Sequence, residues 1–278
     1  MSGIVLSSGV RANLLQLQQT SDLITSTQTK LATGKRVNSA LDNPLNYFTS
    51  QALDNRASDL SSLLDSMSTA INTIQAANNG ISSITKLVQS AQSLVSQAQQ
   101  TTDTSVRASL STQFTALLTQ IGQLAGDSGF NGINLLGGDD LTVVLNEKAG
   151  SNQSKVTVSG VDYTSTTAAN APLSIANAAG NWATTANITA ASTDLTAALT
   201  TLRSESQALG SSLSTVQVRQ DFTKATINTL QNGSDALTLA DSNQEGANLL
   251  ALQTRQQLST TALSLASQAD QNVLRLFG

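Results

Sequence analysis

Along much of this chain the apolar residues recur at intervals of three and four, the spacing that gathers them on one side of an α-helix. The clearest run begins at Leu53 and places an apolar residue at every seventh position, through Leu60, Met67, Ile74, Ile81, Val88 and Val95. A second track three residues further on reads Arg56, Leu63, Ala70, Ala77, Ile84, Ala91 and Ala98, with Arg56 its one misfit. These are heptads, and they predict a helical rod over 53–98, roughly 70 Å long at 1.5 Å per residue. Alanines on the second track imply close packing against a neighbouring helix.

A second helix follows, with Asp103 or Ser105 as its cap and Val106, Leu110, Phe114, Leu117, Ile121 and Leu124 as its apolar side, until Gly126 ends it. It should fold back antiparallel on the first. Beyond Gly126 the pattern changes. The stretch 126–140 is rich in Gly, Asn and Asp, and Leu141–Glu147 and Lys155–Thr164 then flank Gly150–Ser154 as the arms of a β-hairpin. Residues 164–187 are mostly Ala, Thr and Asn with weak periodicity and read as loop. Helical spacing resumes at Leu195 and continues through Leu199, Leu202, Leu209, Leu213, Val216, Ile227 and Leu230, with Ser206, Gln220 and Thr223 as polar gaps. That third rod is about 50 Å long.

Both ends of the chain are amphipathic. One runs through Val10, Leu14, Leu17, Ile24 and Leu31, the other through Leu258, Ala262, Leu265, Ala269, Val273 and Leu276. An end helix with an apolar seam needs a partner that buries it, and the opposite terminus is the simplest one. Leu15 beside Leu14, and Leu263 and Ala266 beside Ala262 and Leu265, widen these seams enough to meet a second partner, which favours packing between molecules. The fold expected is mainly α, a coiled-coil-like bundle of long antiparallel rods with a small β-hairpin region near 141–164 and paired terminal helices. Residues 1–40 with 241–278 would form a terminal domain and 41–240 a rod domain. The rod core would contain Leu60, Leu63, Met67, Ile74, Ile81, Ile84 and Val88, with Leu117 and Ile121 from the second helix and Leu209, Leu213 and Val216 from the third.

Composition narrows what such a bundle does. Among 278 residues there is no cysteine and no histidine, so disulfides, thiolate nucleophiles, Cys-ligated metals and the usual general base near neutral pH are all excluded. An enzyme would have to work with carboxylates and lysines. Ser, Thr, Asn and Gln supply 118 of the 278 residues while charged residues are 12%, which makes a polar but hardly charged surface. Fourteen basic residues against eighteen acidic ones, with no patch larger than Lys35-Arg36, leave no footprint for nucleic acid. No apolar run approaches the roughly 18–20 residues of a membrane span, and Met1–Leu6 has no basic segment followed by a long apolar stretch, so a secretory signal peptide is not expected. Gly34-Lys35 lacks the flanking residues of a phosphate loop, and Asp139-Asp140 lacks the alternating spacing of a calcium loop. Neither a cofactor nor a metal is expected.

Three segments carry a resemblance. Ala32-Thr-Gly-Lys-Arg-Val-Asn-Ser-Ala40 followed by Asp42-Asn-Pro44 resembles the N-terminal signature of bacterial flagellin. Phe130-Asn-Gly-Ile-Asn-Leu-Leu136 resembles that family's turn into its hairpin, and the runs Ala247–Leu258 and Gln271–Phe277 are similar to its closing helix. The departures are Asn43 for a common second Asp, Pro44-Leu45-Asn46 where many members have Ala-Ala-Gly, and Gly278 where many end in Arg.

The resemblance implies a structural subunit, not an enzyme, that polymerises into the helical filament used for swimming. Its terminal helices would pack in the filament core through Val10, Leu14, Leu17, Ile24, Leu31, Leu258, Ala262, Leu265, Ala269, Val273, Leu276 and Phe277, with the rods and hairpin around them. It also implies secretion by a type III apparatus to an extracellular filament, and as partners further copies of itself, sibling flagellins, an export chaperone, and cap and junction proteins. Members with an Arg-containing patch on the long N-terminal rod are sensed by a vertebrate Toll-like receptor. Ser90, Gln92, Ser93 and Leu94 occupy that place here, the leucine kept and the arginines missing. A hook-filament junction protein and an intracellular coiled-coil adaptor are the competing readings.

Overall fold

Pro44 opens the first long rod. In the computed structural model, which describes residues 8–166 and 171–276 except for the side chains of Asp270 and of 273–276, a helix runs without a break from Pro44 to Gln100 (α2). Proline suits the first helical position because it has no N–H to leave unpaired. Asn43 caps the turn, its Oδ1 accepting from the Asn46 N–H at 3.0 Å. Before α2 lies α1 (Ser8–Thr33), and after it come α3 (Thr104–Gly126), β1 (Leu141–Val144), β2 (Lys155–Val158), α4 (Thr185–Thr238) and α5 (Ser242–Leu276). Asp103 is the cap of α3, accepting from the Ser105 N–H at 2.8 Å and the Val106 N–H at 3.4 Å.

Contacts divide the chain into two compact units, 57–228 and 1–56 with 229–278. These borders fall inside α2 and α4, farther from the termini than the expected borders near 40 and 240. The flanks of α2 and α4 account for the difference, since they belong with the chain ends; Leu53, for example, lies against Gly233.

In the larger unit the heptad positions of α2 form the spine. Leu60, Met67, Ile74, Ile81, Ile84 and Val88 are buried, and Leu63 is half-buried against them. From α4, Leu209 and Val216 are buried and Leu213 is half-buried. Ser206 Oγ donates to Asn78 Oδ1 at 2.8 Å and Gln220 Nε2 to Ser68 Oγ at 3.0 Å, pairs that step in opposite directions, so α2 and α4 run antiparallel. On α3 the buried line is Leu110, Phe114, Leu118, Ile121 and Ala125. Expectation had named Leu117 and Leu124, which are half-buried, and Val106, which is exposed. A helix drifts relative to a strict three-four count, and the adjacent pair Leu117-Leu118 lets the neighbouring residue take the central place.

The segment Phe130–Leu136 shows why its sequence matters. Asn131 and Gly132 both have positive φ, 50° and 81°, the signature of a type I′ turn, and Phe130 and Ile133 exchange both backbone hydrogen bonds at 2.9 and 3.0 Å. Asn134 then reaches back, its Nδ2 donating to the Ala125 and Gly126 carbonyls at 2.8 and 2.9 Å, which caps the end of α3. Leu135 and Leu136 are buried beneath. β1 and β2 pair antiparallel with Leu141 opposite Val158. They are shorter than the arms expected, and a 3-10 turn at Gly150–Asn152 lies between them.

Residues 164–187 are more than a loop. Within the described part, Leu173, Ile175 and Trp182 are buried, as is Tyr163 just before it. Trp182 sits in a 3-10 turn with its ring centroid 5.0 Å from that of Phe114. α4 begins at Thr185, ten residues before Leu195, with Ile188 and Ala191 buried.

Candidate assembly surface

Chain reversal at the N-terminal signature brings the two termini together. α1 ends at Thr33 because Gly34 takes a left-handed conformation, φ 68°. The chain then makes a short bridge to the far terminus: the Arg36 N–H donates to the Thr238 carbonyl at 2.7 Å and the Ala240 N–H to the Gly34 carbonyl at 3.0 Å. Arg36 Nη2 reaches the Ala236 carbonyl at 3.1 Å. Val37 is buried. Asp42 closes the turn before α2, its Oδ2 accepting from the backbone N–H groups of Asn38 and Ser39, each at 2.9 Å. Those hydrogen bonds hold its carboxyl below the usual carboxylate range.

From this turn α1 packs along α5. Lys30 Nζ stands 3.7 Å from Glu245 Oε1, an ion pair at the start of the seam. On α1 the residues turned inward are Val10, Asn13, Leu17, Thr20, Ile24, Thr27 and Leu31, spaced alternately by three and four. One track of this heptad is apolar and the other is Asn, Thr, Thr. Thr20 and Thr27 are buried, and the Thr20 hydroxyl bonds the Gln16 carbonyl of its own helix at 2.8 Å. On α5 the inward residues are Leu249, Leu252, Gln256, Ser259, Leu263 and Ala266, all half-buried.

The α5 residues expected on the seam lie elsewhere. Leu258, Ala262, Leu265 and Ala269 are exposed, and Leu258 and Leu265 show about 67% and 62% of their surface. On α1, Leu14 likewise stands off the seam that Val10, Leu17, Ile24 and Leu31 share, and Leu15 and Leu23 are exposed with it. α5 therefore has a second apolar stripe that the intramolecular pair leaves uncovered, and α1 has three exposed leucines spread over the side away from its seam. The side chains of Val273 and Leu276, and all of Phe277, lie outside the described residues.

The comparisons with known proteins address this arrangement from outside the chain. The bacterial flagellin N-terminal helical region matches residues 8–140, and the bacterial flagellin C-terminal helical region matches 192–277. The chain belongs to the bacterial flagellin family. Flagellin of Brucella melitensis is 28% identical over 100% of this chain and 99% of its own length, and flagellin FljM of Caulobacter vibrioides is 29% identical over 100% and 99%. Flagellin A of Rhizobium meliloti is 41% identical over 27% of this chain and 19% of its own length. The crystal structure of Bacillus cereus flagellin aligns with a TM-score of 0.44 at 20% identity, covering 60% of this chain and 88% of that one.

As a member of this family the chain is a structural subunit of the flagellar filament. Both family matches include α1 or α5, the helices with the uncovered apolar side chains. The remaining residues singled out from the sequence sit on α2. Ser90 and Ser93 are exposed there, and Gln92 and Leu94 are half-buried, with Leu94 packed against the core. The aspartates that invited a cation reading are turn residues: Asp139 Oδ2 accepts from the Asn134 N–H at 2.8 Å and Asp140 Oδ1 from the Gly160 N–H at 3.0 Å. A cleft of about 540 Å³ beside α3 is lined by Thr115, Leu118, Thr119, Gly122, Gln123, Thr164–Thr166 and Asn177, none of which titrates. Among the described residues no helix is long and apolar enough to cross a membrane.

The sequence pattern missed Leu249, Leu252, Thr20 and Thr27 as seam residues. Leucine pairs at 249–250 offered either face, and threonine is not counted in an apolar track.

Proposed function

We propose that this flagellin polymerises through the outward stripe of α5 and the exposed leucines of α1, each docking on the terminal helices of neighbouring copies. One observation carries the reading. Among the described residues, six of the fourteen large exposed apolar side chains lie on α1 and α5, which hold under a quarter of the chain. A patch of this kind on a subunit built to polymerise is interface surface. Leu14, Leu15 and Leu23 on α1 and Leu250, Leu258 and Leu265 on α5 are its anchors, while Val10, Leu17, Ile24 and Leu31 hold α1 to α5 within one copy. Val273, Leu276 and Phe277 continue the α5 stripe in sequence.

The mechanism is mechanical. Contacts between different faces of successive copies do not close, so they generate a helix and not a ring. The ends gain most of their burial only in the polymer, so their ordering is coupled to addition at the filament tip. Export by a type III apparatus, an escorting chaperone, and cap and junction proteins at the two ends of the filament complete the proposal, and the family likeness supports them. So does the absence of cysteine, since a chain threaded through a channel must carry no cross-links.

The test is electron microscopy of purified full-length chain after salting-out, beside the doubly substituted Leu258→Asp/Leu265→Asp. Wild-type chain is expected to give long filaments and the variant none, with both equally helical by circular dichroism. A variant that polymerises as readily as the wild type would refute the assignment of this stripe.

A further inference from the structure

The start of α2 presents a second uncovered surface that the terminal helices do not explain. Leu45 and Phe48, three residues apart on the first turns of the helix, share one side of it and are 76% and 63% exposed. Leu41, in the turn before, is 96% exposed. The Phe48 ring stands edge-on to Tyr47, centroids 5.5 Å apart at 78°. Asp42 is the one charged residue between 37 and 53, and its carboxylate is turned onto the backbone N–H groups of Asn38 and Ser39. The result is an apolar knuckle whose one carboxylate is engaged by its own backbone.

The larger unit holds a matching recess. An open trough of about 520 Å³ runs between Leu63 and Ala70 of α2, Ile133 of the Asn-Gly turn and Leu141–Val144 of β1. No lining side chain carries a charge, and most of the exposed lining is apolar.

We infer that the Leu41–Leu45–Phe48 knuckle of one subunit seats in the Leu63–Ile133–Val144 trough of the next. The inference rests on the filament reading above, because a polymer of one kind of subunit makes another copy the partner of any surface it buries. Knuckle and trough are different surfaces of one chain. A contact between them is therefore heterologous and leaves a free knuckle at one end and a free trough at the other, as an open polymer requires. The trough brings no charge and the knuckle's one carboxylate is held by its own backbone, so the contact is mainly apolar and shape-selected, and raising salt weakens it little by screening.

A chain without cysteines lets the contact be mapped directly. Phe48→Cys/Thr142→Cys, assembled into filaments and mildly oxidised, should run on a denaturing gel as a ladder of dimers, trimers and higher multimers. Either single variant should give no ladder, and an equal mixture of the two singles should stop at dimers. Independently, Phe48→Asp should raise the critical concentration for polymerisation at least about tenfold without changing the unfolding midpoint of the monomer. Filaments of the double variant that yield no ladder, or Phe48→Asp filaments with an unchanged critical concentration, would overturn the contact. A raised critical concentration without a ladder would reject the trough and give the knuckle to another surface of the neighbour. If the wild-type chain forms no filaments under the same conditions, the filament-assembly reading falls, and this contact falls with it.

Discussion

Phe114→Ala tests the packing that anchors residues 173–182 to the rods. Phe114 is fully buried on α3, and its ring meets that of Trp182, which is equally buried. Removing such a ring costs about 3–5 kcal/mol, because the transfer energy is lost and a cavity remains. The tilted aromatic pair places the expectation toward the upper half of that range. The larger unit, 57–228, unfolds with an entropy of about 2.1 cal/mol/K per residue, or about 0.36 kcal/mol/K in all. The midpoint should therefore fall by about 8–14 °C. Trp182 is the sole tryptophan of the chain, so its fluorescence reports this site without labelling. Wild-type emission should be that of a buried indole, and the variant should show red-shifted emission before the main transition. Filaments should still form well below the lowered midpoint, since the substitution lies outside the terminal unit. A shift under about 3 °C with unchanged emission would show that residues 173–182 do not pack on α3.

Four further outcomes are expected. Gly122→Ala places a Cβ well inside contact distance of the Thr164 carbonyl oxygen, so a backbone clash of about 1–3 kcal/mol opposes a helix-propensity gain of about 1 kcal/mol; a midpoint that rises in thermal unfolding would contradict it. The lowered Asp42 pKa means that its contribution is complete above the ordinary carboxylate value and is lost as pH falls through the lower folded value, so Asp42→Asn should be less stable than wild type at neutral pH and converge with it in strong acid when melting is followed by circular dichroism. Thr20→Leu/Thr27→Leu should stabilise the α1–α5 pair in the monomer by up to about 1.5–3 kcal/mol per site and, by ordering the ends in advance, shorten the lag before polymerisation in light scattering, and an unchanged monomer midpoint would count against the polar-seam argument. A cell reporter for the vertebrate Toll-like receptor should respond weakly if the family resemblance aligns Ser90, Gln92, Ser93 and Leu94 with the Arg-containing patch, since no arginine is among them, and full potency would contradict this.

Where the pattern is long and one-sided, the sequence is legible. Seven heptads on α2 set one buried line, and the other apolar residues of that helix that reach the core, Leu64, Ile71, Leu87 and Leu94, only flank it half-buried. The α3 line slips by one residue because Leu117 and Leu118 are equally apolar, and only the neighbouring helices decide between them. Terminal helices are harder still, since α5 has leucines at both 249 and 250 and at both 263 and 265. Two faces fit, and periodicity does not choose. The region 164–187 hides its role for another reason: Tyr163, Leu173, Ile175 and Trp182 act through contacts distant in sequence, so no local spacing announces them. A single tryptophan in a chain with 3% aromatics was the available signal. The Asn-Gly turn at 131–132 was legible in kind, whereas the return of Asn134 onto the end of α3 was not.

The polar seam and apolar exterior of the terminal pair belong to one physical argument. An amphipathic helix ordinarily buries its most apolar stripe and leaves polar residues to water. Here Asn13, Thr20, Thr27, Gln256 and Ser259 occupy inward positions, while Leu15, Leu23, Leu250, Leu258 and Leu265 face out. A pair so arranged gains less from its own association than an all-apolar seam would, and one ion pair between partly exposed Lys30 and Glu245 adds at most about 1 kcal/mol. Its larger gain, about 25 cal/mol for each Å² of apolar surface removed from water, is reserved for contact with another copy. Ordering of the ends and growth of the polymer are then the same free-energy step, as when a ligand binds only the folded state. The rest of the surface fits that division. Its many Ser and Thr hydroxyls bond carbonyls one turn back on their own helices, as Thr25, Ser62, Thr69, Ser90 and Thr215 do, and so carry no partner preference. Specificity between copies is left to the few places where apolar side chains stand clear of the fold.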